Sequence, residues 1–420
     1  MTLRPLSFSL SLCLFATLAP AEALWPEFRG PTAQGHSTAT GLPTEWGHEK
    51  NIVWREEIPG RGWSSPIVAK GKIFVTAAVD LGATPKDGIG LHVVALDAVT
   101  GKVAWDAEVF QSTDPALLRM HQKNSHASPS AVYQDGKVYV HFGQHGSACL
   151  SESGKVIWTS REHPYVAVHG TGGSPVLVDG TFIYNADAES DPQVIGLDMK
   201  TGKTRWVVHR NSDAKKKFSF CTPLVIEVEG KKQVITPGSG IVQALNPKDG
   251  GEIWHVMYDQ GYSVVPRPVY SHGMIFMSTG YDKPVGLAIK VDAQSQGDVT
   301  GSHIVWQENK YVPHNPSMLV IGDDLYMLAD NGLFSCRDAR TNQVYFEERL
   351  LGPSSASLLE AGGLIYAIDE KGASAVVKPG KTLDVIAKSE LNEKTLASMA
   401  VCDNDLLIRT EKALYRVGKR

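Results

Sequence analysis

A degenerate repeat runs from near the start of this 420-residue chain to its last residue, and it limits the possible folds more than any other feature. Each copy begins with a Ser-Pro-like pair, passes through three strands, turns at a Thr-Gly-Lys-like segment and ends on a strand that carries Trp. The clearest copy has Ser65-Pro66 at its start, Thr100-Gly101-Lys102 at its turn and Trp105 at its end. From Trp105 to Trp306 the repeat tryptophans stand 48 to 53 residues apart. That length fits four strands and three turns, which make one propeller blade.

The two ends of the chain together supply one more blade. The last repeat, residues 396–416, has three strands and lacks the strand that should carry the Trp. A strand of that kind lies near the start of the chain, around Trp54. We therefore expect an all-β, eight-bladed β-propeller of four-stranded antiparallel blades, closed by an N-terminal strand that joins the C-terminal blade. Seven blades is the alternative if one of the weak C-terminal repeats is not a blade.

The fixed residues of the repeat have architectural explanations. The Gly of the turn tolerates a positive φ, and the Asp or Asn before it starts the turn through its side chain. A Trp at a constant position puts a large apolar surface between adjacent sheets. We therefore interpret six residues as blade-docking residues: Trp54, Trp105, Trp158, Trp206, Trp254 and Trp306.

The first 23 residues predict an export signal, and residues 24–420 predict a single propeller domain. Arg4 supplies the positive charge, the apolar stretch 6–18 is too short to span a bilayer, and Ala21 and Ala23 are the small residues of a cleavage site. No small residue stands just before Cys13, so no lipid anchor is expected. We expect a monomer without a membrane span, exported to the periplasm or the cell exterior.

Charge and cysteine content argue against several classes of site. The net charge is −4 and the longest basic run is three lysines, so nucleic-acid binding is not expected. Four cysteines follow the export signal, with no C-x-x-C pair and no metal-ligand spacing, so we predict no metal site. We interpret them as buried small hydrophobic residues: Cys149, Cys221, Cys336 and Cys402.

The segment from Ala95 through Asp97 and the Thr-Gly-Lys turn to Trp105 resembles the pyrroloquinoline-quinone (PQQ) type propeller repeat, A-x-D-x-x-T-G-K-x-x-W. Segments 25–31, 42–46, 58–66 and 297–300 resemble a group of exported propellers of planctomycete-type bacteria. The resemblance implies the propeller fold. One eight-bladed relative of this kind, the lipoprotein of outer-membrane β-barrel assembly, acts as a scaffold.

A resemblance to the quinoprotein dehydrogenases of this fold class implies a particular pocket. In it the quinone is held between a Trp and a vicinal Cys-Cys disulfide, beside Ca²⁺ and a catalytic Asp. This sequence has no adjacent cysteines and no Asp-rich calcium loop. We therefore predict no cofactor, and in particular neither PQQ nor Ca²⁺.

Residues that precede the innermost strands should line one mouth of the central channel, where propellers tend to bind ligands. Cations, imidazoles and aromatic rings occur among them, and such a mixture suits an anionic, sugar-like or peptide ligand. The predicted ligand-binding residues are Arg61, Trp63, Asn124, His126, His169, Arg267 and His314. We assign no catalytic residue.

The hypothesis that follows is an exported, non-catalytic propeller that serves as a scaffold for a protein or for a small polar or sugar-like ligand. One alternative is a PQQ-dependent dehydrogenase, which reconstitution with the quinone and Ca²⁺ would reveal. A second is a carbohydrate-active enzyme, which would need two acids or a His/Arg pair at the channel mouth.

Overall fold

The structure, a computed structural model, describes residues 25–259 and 261–419, and the predicted export signal lies outside them. The described chain is almost entirely strands and turns. Its helices are α1 (Thr300–His303) and the 3-10 turns Pro85–Asp87 and Gly143–His145. Within these residues, no helix has the length and apolar character needed to cross a membrane.

The strands form eight sheets, each the size of one blade. Before the first complete blade come β1 (His36–Ser37) and β2 (Ile52–Glu57). Blade 1 has β3 (Ile67–Ala69), β4 (Lys72–Asp80), β5 (Ile89–Asp97) and β6 (Val103–Ser112). Blade 2 has β7 (Val132–Gln134), β8 (Lys137–His141), β9 (Ser147–Ser151) and β10 (Val156–Ser160). Blade 3 has β11 (Val176–Val178), β12 (Thr181–Ala186), β13 (Gln193–Asp198) and β14 (Thr204–His209).

The later blades follow the same plan. Blade 4 has β15 (Leu224–Val228), β16 (Lys231–Gly238), β17 (Ile241–Leu245) and β18 (Glu252–Met257). Blade 5 has β19 (Val269–Ser271), β20 (Met274–Ser278), β21 (Gly286–Lys290) and β23 (Ile304–Glu308), with β22 (Gly297–Asp298) in an insertion. Blade 6 has β24 (Leu319–Ile321), β25 (Asp324–Leu328), β26 (Leu333–Asp338) and β27 (Val344–Arg349). Blade 7 has β28 (Leu359–Ala361), β29 (Leu364–Ile368), β30 (Ala373–Lys378) and β31 (Asp384–Glu390). Blade 8 has β32 (Ala400–Cys402), β33 (Asp405–Arg409) and β34 (Ala413–Val417), and it is completed by β2.

Circular closure, the eight blades and the all-β fold are confirmed. Strand β2 pairs antiparallel with β34, so that Arg55 lies opposite Tyr415. The buried Arg409 guanidinium of blade 8 donates to the Ser64 and Thr76 carbonyls in and beside blade 1. Joining the two chain ends in one sheet leaves no open blade at either end of the repeat.

Five of the six repeat tryptophans reach into the next blade. Each donates its indole N–H to a backbone carbonyl there: Trp54 to Ala98, Trp105 to Glu152, Trp158 to Met199, Trp206 to Pro247 and Trp306 to Ala339. A Cβ on the turn glycine beneath the indole would lie 2.5 Å from Trp54 at Gly101 and 2.5 Å from Trp158 at Gly202. The turn glycine therefore serves two purposes, the positive φ and the close approach of the indole.

Trp254 is the exception among the repeat tryptophans. It is fully buried, but its indole N–H donates to Gln233 Oε1 within its own blade, at 2.9 Å. The reason is the insertion in blade 5, whose strand β22 pairs with β18 and places Gly297 opposite Trp254. Blade 4 thereby gains a fifth strand.

Residues 25–37 lie inside the central channel, a placement that the repeat pattern does not predict. Trp25 exchanges two backbone hydrogen bonds with Val68 on the inner strand of blade 1. Strand β1 runs parallel to β28, the inner strand of blade 7, with His36 opposite Glu360. The Gln34 side chain accepts from the backbone of Tyr270, on the inner strand of blade 5. Residues 25–37 therefore cross the channel at the end where the inner strands finish.

Candidate functional site

A ring of side-chain hydroxyls surrounds the other end of the channel, at the start of the inner strands. One residue per blade, two positions before its inner strand, belongs to this hydroxyl ring, and seven of the eight carry a hydroxyl. In blade order these residues are Ser65, Ser130, Ser174, Thr222, Arg267, Ser317, Ser357 and Ser398. Each of seven hydroxyls accepts the backbone N–H of the ring residue one blade earlier, at N–O distances of 2.9 to 3.2 Å.

The ring explains why the sequence repeats a Ser-Pro pair. Proline fixes the chain as it enters the inner strand and needs no hydrogen-bond partner for its nitrogen, while the hydroxyl joins neighbouring blades. In blades 2 and 6 the proline comes before the ring residue, as Pro129 before Ser130 and Pro316 before Ser317. Alignment on the proline alone therefore misplaces the ring by two residues in these blades.

A cavity of about 340 Å³ opens at this mouth of the channel. The hydroxyl ring forms its floor together with Phe28, which the N-terminal segment contributes from below. Its walls are aromatic and imidazole rings from loops of five different blades: Trp63, His121, His169, Phe220, Tyr262 and Tyr281. Among the described residues that line the cavity there is no Asp, Glu or Arg, and the one formally charged side chain is that of Lys123.

The loop between β6 and β7 builds one wall and reaches across the mouth. His121 N donates to the His169 carbonyl at 3.3 Å, and Asn124 Nδ2 donates to the same oxygen at 2.9 Å. Lys123 Nζ donates to Glu370 Oε1 at 2.8 Å, although Glu370 belongs to blade 7, with blades 8 and 1 between it and blade 2. Burial lowers the pKa of Lys123, but the bond to Glu370 outweighs burial and leaves that pKa above its ordinary value.

A polar network stands behind the opposite wall. Asp330 accepts the backbone N–H of His314 and the side-chain amide of Asn315, each at 2.5 Å. Asn315 also bonds the Tyr281 hydroxyl at 3.0 Å. Burial raises the pKa of Asp330, against the lowering effect of those hydrogen bonds. The network holds Tyr281 in the wall and keeps the carboxylate out of the lining.

Three of the seven predicted ligand-binding residues line the cavity. They are Trp63, Asn124 and His169. Burial lowers the pKa of His169, and the nearby His121 and Lys216 lower it further, so its imidazole is held neutral. These three came from the rule that residues before the inner strands face the channel.

The other four predicted residues lie outside the cavity lining. Arg61 Nη2 lies 3.7 Å from Asp80 Oδ2 at the rim of blade 1. His126 turns away, with its Nδ1 3.2 Å from Nε2 of His145. His314 packs its ring against that of Tyr281, with 4.8 Å between the centroids.

Arg267, the fourth, takes the eighth place in the hydroxyl ring, but its side chain leaves the mouth. Its buried guanidinium donates to the carbonyls of Pro223 and Phe28 and forms an ion pair with Glu27, at 2.6 to 2.9 Å. Arg267 therefore anchors the N-terminal segment beneath the cavity. The hydroxyls, Phe28 and Lys123 were not among the residues predicted for the site. Only the hydroxyls had a signal, a Ser or Thr at one position of nearly every repeat.

The described residues do not fit the quinone pocket of the dehydrogenases. All four cysteines of the described chain are free and buried, so no vicinal disulfide is present to hold a quinone. Within the same residues, no group of three or more His, Cys, Asp or Glu side chains is placed to hold a metal ion. The acids or the His/Arg pair that a carbohydrate-active site would need are also missing from the described lining of the cavity.

Sequence comparison finds two distant relatives. An uncharacterized protein of Rickettsia conorii is 24% identical over 271 residues, which are 61% of this chain and 60% of that protein. The outer membrane protein assembly factor BamB of Shewanella oneidensis is 22% identical over 228 residues, 50% of this chain and 52% of its own length. The matches thus span less than two thirds of either relative.

Solved structures share the fold at low identity. BamB from Moraxella catarrhalis superposes with a TM-score of 0.62 at 13% identity, over 88% of this chain and 97% of that one. A quinohemoprotein alcohol dehydrogenase from Pseudomonas putida HK5 gives a TM-score of 0.60 at 12% identity, over 94% and 80%. At these identities the likeness concerns the fold alone. The family model described as outer membrane protein assembly factor BamB matches residues 38–119 and 92–346, which is most of the sequence, and the chain therefore belongs to this PQQ-repeat propeller family.

Proposed function

We propose that this chain is an exported, non-catalytic scaffold that binds a partner protein where the cavity opens. The occupant is an exposed loop or chain end of the partner, which enters the mouth of the channel. No quinone, Ca²⁺ or other cofactor takes part in this proposal.

The observation that carries the proposal is the lining of the cavity. Four large aromatic rings, of Trp63, Phe220, Tyr262 and Tyr281, stand around a floor of hydroxyls. Trp and Tyr are enriched at the centres of protein interfaces, because they bury a large area at little conformational cost. A cavity of about 340 Å³ accepts one or two side chains rather than a folded domain. The BamB relatives are described as outer membrane protein assembly factors, which supports a role beside other proteins in an exported compartment.

Photocrosslinking in the native bacterium tests the proposal. A photoreactive residue replaces Trp63 or Tyr262 at the mouth and, as the control, the exposed Lys200 in a turn on the opposite face of the disc. We expect the first two positions to capture the same protein and position 200 not to capture it. Capture of that protein from position 200 alone would overturn the proposal, and so would no capture from any position.

Two further measurements test export and the absence of a quinone cofactor. Mass spectrometry of the protein from the periplasmic fraction should give a mature N-terminus near Leu24, whereas a cytoplasmic chain that keeps residues 1–23 would contradict export. Reconstitution with PQQ and Ca²⁺ should leave an electron-acceptor dye unreduced with alcohols and sugars. Dye reduction would replace the scaffold with the dehydrogenase alternative.

A further inference from the structure

The hydroxyls of the ring have hydrogens without acceptors. Each of the seven accepts one backbone N–H, and none of them donates to any acceptor in the described part of the chain. A Ser or Thr hydroxyl that accepts one bond still has a hydrogen to donate. All seven side chains belong to buried residues, from Ser130 at 2% exposed to Ser398 at 8%, and all seven line the cavity. The floor of the cavity is therefore a circle of hydroxyl donors whose hydrogens are not used within the described part of the chain.

Above this circle Lys123 is paired with Glu370, and beneath it positive charge is in excess. Lys123 reaches over the cavity from above, and the lining includes no described carboxylate. Beneath the floor lie two buried guanidiniums: that of Arg267 is paired with Glu27, whereas that of Arg29 donates to the carbonyls of Gln34 and Met318 and has no carboxylate partner among the described residues. Arg29 Nε and Nη1 have no hydrogen-bond partner among the described residues. Two buried cations against one carboxylate leave a positive potential, which attracts an anion across the low-dielectric floor.

We propose that the hydroxyl ring is an oxyanion site and that the partner segment seated in the cavity places a carboxylate on it. This inference rests on the proposed function, whose partner it characterises. The carboxylate oxygens accept from the ring hydroxyls, and the rest of the segment packs against the aromatic walls, which a bare inorganic ion would leave uncovered. A chain end with a free α-carboxylate beside an apolar residue has this chemistry.

Glu370 is the internal competitor of this carboxylate. Its Oε1 accepts from Lys123 Nζ at 2.8 Å and from Ser355 Oγ at 2.7 Å, at the rim of the cavity. A carboxylate that enters the cavity meets the same ammonium from below. Because charge-assisted hydrogen bonds are the stronger kind, the exchange of one carboxylate for another sets the affinity. Removal of the Glu370 charge should therefore tighten binding, and removal of the Lys123 charge should weaken it.

Peptide titration of the purified full chain tests the site. The probes are the tetrapeptide Gly-Gly-Phe-Phe with a free C-terminal carboxylate, the same peptide with a C-terminal amide, sodium acetate and inorganic phosphate, followed by calorimetry and Trp fluorescence. We expect the free peptide to bind at least about tenfold more tightly than the amide, which corresponds to about 1.4 kcal/mol. Equal binding of the two peptides would overturn the inference. Tighter binding of phosphate or acetate than of the free peptide would assign the ring to a free anion and would overturn the partner carboxylate.

Two variants with opposite expected effects separate binding from folding. Lys123→Gln should weaken binding of the free peptide about tenfold, and Glu370→Gln should tighten it severalfold. Lys232→Gln, which removes an exposed lysine ion-paired to Asp179 at 2.7 Å far from the cavity, is the matched control and should leave binding unchanged. Weaker binding of the free peptide by Glu370→Gln would contradict the competition between Glu370 and the entering carboxylate. If crosslinking captures the partner but no carboxylate binds, this inference fails alone; if neither is observed, the proposed function fails with it.

Discussion

The backbone N–H of Ser398 in the last blade donates to the hydroxyl of Ser65 in the first blade, with 3.2 Å between the two atoms. This bond closes the propeller at its innermost radius, as the pairing of β2 with β34 closes it further out. The two closures lie on different strands and use different chemistry, one a side-chain acceptor and the other a backbone ladder. Loss of either closure should destabilise the propeller while the other closure stays intact.

Substitution of Trp54 tests the outer closure. Trp54→Ala removes the indole that packs on the Gly101 turn and donates to the Ala98 carbonyl at 3.1 Å. Because this Trp is only partly buried, we expect the free energy of unfolding to fall by about 2–3 kcal/mol, below the usual range for a core Trp. Urea denaturation followed by circular dichroism measures the change.

Trp54→Phe is the matched control, since it keeps an aromatic ring and loses the N–H. It should lower the free energy of unfolding by about 1 kcal/mol. If Trp54→Ala and Trp54→Phe were equally stable, the packing of the indole between blades 8 and 1 would contribute nothing to closure.

The turn glycines allow backbone strain to be separated from contact with the indole. Gly202 has φ of +71°, and a Cβ there would lie 2.5 Å from Trp158, whereas Gly230 has φ of +75° and nothing within 4 Å of its Cβ. Gly230→Ala should cost about 1 kcal/mol from strain alone. Gly202→Ala should cost a further 1–3 kcal/mol or so, because the Trp158 ring must move. Equal losses of stability for the two variants in thermal denaturation would show that packing of the Trp158 indole does not require a glycine at position 202.

Much of this architecture follows from the repeat alone. The spacing of the tryptophans gives the blade length, and the missing fourth strand of the last repeat points to Trp54 as the closing strand. Trp254 marks where that reasoning stops, because it keeps its place in the repeat while its indole bonds Gln233 instead of the next blade. The cause is an insertion near Gly297, whose pairing partner depends on packing between blades and not on the local sequence.

The hydroxyl ring should stabilise the fold as well as serve the site. Thr222 Oγ1 accepts the backbone N–H of Ser174 at 2.9 Å, and Thr222→Val removes this acceptor without a large change in volume. A buried N–H without a partner costs about 1–3 kcal/mol, so we expect a loss of that size in urea denaturation. Thr222→Ser keeps the oxygen and should stay within about 0.5 kcal/mol of the wild type, as substitutions that keep the local contacts usually do. A valine variant as stable as the serine variant would mean that the inter-blade bond is not needed.

The site was less predictable than the fold, for a physical reason. The rule that residues before inner strands face the channel holds for Trp63 and His169, whose backbones approach the mouth directly. It fails for Arg267, where a buried ion pair with Glu27 draws the side chain under the floor. The rule could not find Phe28 at all, because only the tertiary fold brings the N-terminal segment into the channel. Side-chain direction in loops depends on such distant partners, which sequence spacing does not encode.

Buried neutral histidines should make the protein sensitive to mild acid. Burial lowers the pKa of His141 to about 3, and burial together with the nearby His126 and Arg161 lowers that of His145 to about 3. Since an unfolded histidine has a pKa near 6.5, between pH 6.5 and 4 the unfolded chain takes up protons that the folded chain does not. Stability is therefore complete above about pH 6.5 and falls as the pH is lowered, by up to about 1.4 kcal/mol per pH unit for each histidine.

His145→Gln isolates one of these histidines. At pH 7.5 both proteins hold a neutral side chain at position 145, so any difference in unfolding free energy there reflects packing and the lost contact of 3.2 Å with His126. Toward pH 4.5 we expect the wild type to lose stability faster than the variant, by about 1 kcal/mol per pH unit. Urea denaturation at intervals of half a pH unit measures both slopes. Parallel curves would mean that His145 takes up its proton equally in the folded and unfolded states, in contradiction to its burial beside Arg161.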